Sequence, residues 1–99
     1  MTYATKVILH APAWDSPKLV DFVADCLRCG VRLICVVGPD AERVHDVIDG
    51  LIVGGGGSAE PPLVVTTWHE NEGLPEVREF ADDFSGEGWP EGPAQVVSL

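Results

Sequence analysis

Positive charge is what this sequence has least of. Six Lys and Arg stand against 16 Asp and Glu, a formal net charge of −10 at pH 7. A basic face able to neutralise a phosphate backbone is excluded, so nucleic acid is not an expected partner. Long apolar runs are lacking too. The N-terminus offers Lys6 and then only Val7, Ile8 and Leu9 before His10, too short for a signal-peptide core, and no later run approaches the roughly 20 apolar residues of a membrane span. No membrane partner is expected, and the expected location is the cytoplasm. Cysteine is scarce: three residues, an odd number, which argues for free thiols rather than a disulfide framework.

What remains is an ordinary globular balance, 45% hydrophobic and 22% charged over 99 residues. That length supports one domain, residues 1–99, which buries roughly 60–70% of the surface of its unfolded chain. Excess negative charge aids solubility and speeds encounter with a basic partner protein or a cation.

Hydrophobic periodicity divides the chain into alternating elements. Lys6 to Ala11 reads as a strand through the unbroken run Val7-Ile8-Leu9. Ser16 is placed to cap a helix whose first position suits Pro17; Leu19, Phe22, Val23, Cys26 and Leu27 share one face, and Gly30 supplies a left-handed stop. Val31 to Val37 is a β-branched strand closed by Gly38-Pro39. Asp40 then opens a helix with the stripe Val44, Val47, Ile48 and Leu51, and His45 falls on its polar face. Gly54 to Gly57, Ser58 and Pro61-Pro62 read as a loop, Leu63 to Trp68 as a third strand, and Pro75 opens a third helix with Val77, Phe80, Ala81 and Phe84 inward. A Gly/Pro-rich loop carrying Trp89 leads to a fourth strand, Gln95 to Leu99.

The order βαβαβαβ with short connections predicts an α/β three-layer sandwich on a four-stranded parallel sheet. The expected strand order is 2-1-3-4, with the first helix on one face and the other two on the opposite face. Strands 3 and 4 then form a half-polar open surface bearing Thr66, Thr67, Gln95 and Ser98, through which a homodimer would complete burial. This topology resembles flavodoxin-like, Rossmann-like and receiver-like domains over about four of their usual five strands. Their chemistry does not carry over. Trp68-His69 stands where a receiver would end its third strand in a phosphoacceptor Asp, and no hydroxyl-rich first loop suits a flavin.

In such sheets ligands bind at the carboxyl ends of the strands, where the strand order reverses, which on this reading lies between strands 1 and 3. His10, Trp14 and Asp15 follow strand 1, Asp40 follows strand 2, and Trp68, His69, Glu70, Asn71 and Glu72 end or follow strand 3. A metal reading has His10, His69 and Glu70 hold a divalent ion, with Trp14, Asp15, Asp40, Trp68 and Glu72 around it. An acid/base reading makes His69 a base oriented by a carboxylate, with no nucleophile evident beside it. The structural alternative leaves His10 bonded to backbone and the acids solvated.

Other motifs fail on context. Cys26-Leu27-Arg28-Cys29 has CxxC spacing, but at a helix C-terminus, where no positive dipole end favours a thiolate. The glycine run follows a helix and opens a strand, the reverse of a phosphate loop. With no complete catalytic or cofactor motif, the expectation is a non-catalytic regulatory or protein-interaction module that needs no cofactor. A divalent-metal or small-ligand binding protein, with hydrolase chemistry at the ends of strands 1 and 3, is the alternative.

Overall fold

The computed structural model describes residues 3–10, 14–55, 64–83 and 94–99. Its elements are β1 (Lys6–His10), α1 (Lys18–Cys29), β2 (Leu33–Val37), α2 (Ala41–Gly55), β3 (Val65–His69), α3 (Leu74–Asp83) and β4 (Gln95–Ser98). They build the expected α/β fold, a four-stranded parallel sheet covered by three helices. Phe84, Trp89, Gly56, Gly57 and the Pro61-Pro62 pair lie outside the described residues. Gly54 and Gly55, expected in a loop, belong to the last turn of α2.

The strands run in the order β3-β2-β1-β4 rather than 2-1-3-4. Burial explains the difference. The continuous apolar run of β2 is buried at all five positions, and β1 is buried at all but His10, so these two fill the centre. β3 and β4 mix Thr, Gln and Ser with their apolar residues, are only half-buried over most of their length, and take the edges. The first two crossovers step the same way along the sheet, so right-handedness puts α1 and α2 on one face; the third steps back across two strands and puts α3 on the other. The expected pairing of α2 with α3 on one face is corrected accordingly. So is the shared open surface on strands 3 and 4, which lie at opposite edges.

The larger core joins α1 and α2 to the sheet through Leu19, Phe22, Val23, Cys26, Val44 and Ile48, packed on Val7, Leu9, Ile34 and Val36. The smaller core sets Val77 and Ala81 of α3 against Ile8, Leu33, Cys35 and Val37. Lys6, 2% exposed, reaches the C-terminal end of α3, where its Nζ donates to the Asp82 carbonyl at 3.4 Å. The negative end of the helix dipole suits that cation. The Asp82 carboxylate accepts from the Ala94 N–H at 3.2 Å, tying α3 to the start of β4.

The C-terminal end of α1 behaves as read from sequence, whereas the N-cap position is taken by Pro17, with no side-chain cap hydrogen bond, rather than by Ser16. Ser16 Oγ accepts from the Lys18 N–H at 3.3 Å, and Gly30 at φ +76° closes the helix with its N–H directed at the carbonyls of Cys26 and Leu27.

Candidate functional site

The carboxyl end of β2 turns through Gly38, at φ +125°, into the first turn of α2, and the Ala41 N–H donates back to the Gly38 carbonyl at 3.1 Å. Only glycine takes that backbone angle readily. The turn, the start of α2 and Glu70 beyond β3 enclose a recess of about 440 Å³ lined by Pro39, Asp40, Glu42, Arg43, Asp46 and Glu70. Its charged lining is four carboxylates and one guanidinium. Arg43 lies over the ring of Trp14, 5.1 Å from the centroid, and Trp14 is 44% exposed. The positive end of the α2 dipole favours acidic residues here.

Behind the recess stands His45, buried rather than solvated. Its Nδ1 is 3.2 Å from Asp46 Oδ1 and its Nε2 is 3.3 Å from Asp49 Oδ2. The other Asp49 oxygen accepts from the Thr66 hydroxyl of β3. The His45 ring lies against the Trp68 indole, centroids 4.5 Å apart, and Trp68 is 47% exposed. These contacts fasten α2 to the edge strand.

On the opposite face of β3 a second polar group surrounds His69, which is 7% exposed. Alternation along the strand puts Thr67 and His69 on the same face. His69 Nε2 is 2.9 Å from Thr67 Oγ1, Nδ1 is 3.0 Å from Glu72 Oε1, and the Phe80 ring meets the imidazole edge-on at 5.0 Å. Thr67 also hydrogen-bonds Cys35, whose thiol is pushed up by burial, an effect that outweighs the Thr67 hydrogen bond and the Lys6 charge.

The structure does not gather the expected metal set. His10 and His69 stand level with each other on either side of Val37, two strand spacings apart, so their Cα atoms are separated by about 10 Å. Both ring nitrogens of His69 already have partners, and Glu70 faces the acidic recess. Among the described residues no group of three or more His, Cys, Asp or Glu is arranged to hold a metal ion. The reversal of strand order falls between β1 and β4, so His10 pairs with Ser98 there and not with β3. Asp15 is exposed beside Trp14, while Asp40 and Glu72 divide between the recess and His69. Cys26 is buried, its thiol pushed up to about 12 by desolvation, with Cys29 and Asp25 adding to the rise.

Several residues of these clusters, Thr67, Arg43 and His45 among them, escaped the sequence reading of the site. Thr67 could have been found from the Thr-x-His spacing on one strand; Arg43 and His45 had no local signal. A further recess, about 580 Å³ and mainly apolar, lies between α1 and α2, lined by Val20, Val23, Ala24, Leu27, Arg28, Gly50 and Leu51.

The model of a protein family described as a domain of unknown function, DUF7684, matches residues 2–93, and the chain belongs to that family. No curated protein and no solved structure matches the chain.

Proposed function

We propose that this member of a family without an assigned activity is a protein-interaction module whose acidic rim receives a basic segment of a partner protein. One observation carries the reading: a recess with four carboxylates in its lining has two half-exposed tryptophans near it, Trp14 beneath the lining residue Arg43 and Trp68 two residues before the lining residue Glu70. Tryptophan is enriched among the residues that dominate interface energies. Acidic groups steer a basic partner into place and raise its association rate. The Arg43 guanidinium over Trp14 shows that this ring accepts a cation on its face, the contact a partner arginine would make. A module of this kind acts by occupying its partner's basic surface and needs no bound cofactor.

The test is titration with a synthetic arginine-rich peptide followed by intrinsic Trp fluorescence. Saturable binding that weakens with salt and is lost in Asp46→Lys/Glu70→Lys, but retained in Asp21→Lys/Glu79→Lys, supports the rim. Equal loss from both pairs would reduce the interaction to bulk charge and remove the rim from the account.

A further inference from the structure

We propose that Thr67, His69 and Glu72 form a hydroxyl–imidazole–carboxylate relay that makes Thr67 a nucleophile toward small activated carboxylic esters. The proposal stands apart from the acidic rim, since these side chains lie on the other face of β3.

The geometry supplies each part in order. Glu72 Oε1, 3.0 Å from Nδ1, holds the proton of the neutral imidazole on that nitrogen. Nε2 is left with its lone pair, 2.9 Å from the Thr67 hydroxyl. A base within hydrogen-bond reach of a hydroxyl, itself oriented by a third group, is the general signature of an activated oxygen nucleophile. Burial raises the Cys35 thiol, so it stays protonated beside Thr67 and does not act as a competing base for the Thr67 hydroxyl proton. Phe80 against the ring limits its rotation. Among the described residues β3 is an edge strand, and Thr67 on it is half-buried, which suits a compact acyl group.

The chemistry is balanced without a cofactor. Thr67 Oγ1 bonds to the ester carbonyl carbon as its proton passes to His69 Nε2. The bond from that carbon to the leaving oxygen then breaks, and His69 returns the proton to the departing alcohol or phenol. Water, deprotonated by His69, hydrolyses the acyl-threonine ester, releasing the carboxylic acid and restoring the hydroxyl.

The full chain is incubated with p-nitrophenyl acetate, nitrophenol release is followed, and the acetyl group is located by peptide mass mapping. Acetylation at Thr67 is expected in the native protein, absent after prior denaturation in urea, abolished in Thr67→Val and retained in Thr67→Ser. Glu72, half-exposed, is the positioning residue. Glu72→Gln should leave the melting temperature unchanged yet slow acetylation roughly 100-fold, and nitrogen-15 spectra should show His69 losing its single Nδ1–H tautomer. Acetyl groups confined to Lys6, Lys18 or the amino terminus, or equal rates in the native protein and Glu72→Gln, would overturn the relay and leave a purely structural hydrogen-bond chain. Should Thr67→Val fail to fold, the Glu72→Gln comparison decides alone.

Discussion

The imidazole of His45 lies 4.5 Å from the indole of Trp68, tilted by 54°, so the polar side of α2 is fastened to the edge strand β3 by an aromatic contact. The same ring reaches Asp46 and Asp49, and Asp49 takes the Thr66 hydroxyl. His45→Ala removes the stack and opens the Trp68 face to water. Urea denaturation should show a loss of about 1–2 kcal/mol, with Trp68 emission moving to longer wavelength. Unchanged stability and emission would mean that the contact contributes nothing.

Two glycines should respond in opposite directions. Gly30 holds φ at +76° with no heavy atom within 4 Å of where a Cβ would stand, so Gly30→Ala meets only backbone strain and should cost about 1 kcal/mol. Gly50 lies within α2, also with open space around its Cβ position, and Gly50→Ala should stabilise by about 0.5–1 kcal/mol through the lower entropy of the unfolded chain. Thermal melts of both variants check the pair; the same sign for both would contradict the assigned backbone conformations.

Alkaline stability should depend on Cys26. Its thiol is pushed from an ordinary 9.0 up to about 12, mainly by burial, so above the unfolded value the unfolded chain gives up the Cys26 proton while the folded chain keeps it. The stability from this group is complete below about pH 9 and is lost as pH rises toward about 12. Tyr3, raised chiefly by burial, acts in the same sense. Melting temperature above pH 9 should fall more steeply in the native protein than in Cys26→Ala. Parallel slopes would show that the thiol does not titrate with unfolding.

Divalent ions test the separation of His10 from His69. After chelation, addition of zinc, manganese or nickel should produce no saturable change in melting temperature or Trp emission that His69→Ala abolishes, because both nitrogens of His69 are engaged. A micromolar, ion-specific shift lost in that variant would restore the metal reading.

Much of the fold is legible residue by residue. The unbroken run Val7-Ile8-Leu9, the helical spacing of Leu19, Phe22, Val23 and Cys26, and the stop at Gly30 each act locally, and the structure carries them where the pattern places them. Strand order is less local, yet a clue is present: Leu33 to Val37 is apolar throughout and suits a central strand, whereas Thr66 and Thr67 suit an edge. Once β3 is placed on the far side of β2, His10 and His69 separate, and α2 comes to lie over Thr66 and Trp68. The burial of His45 follows from that crossing and has no signature in the polar helix face around it. Thr67 and His69 share a face through strand alternation alone, and Glu72 reaches the ring from the turn that follows.

The most direct test of the interaction account is a nitrogen-15 amide map of the protein during titration with an arginine-rich peptide. The account predicts shifts concentrated at residues 40–46 and Glu70 and at the indole N–H groups of Trp14 and Trp68, fading as salt is raised. Shifts spread evenly over the acidic surface, or gathered instead at Val20, Leu27 and Leu51 between α1 and α2, would contradict it.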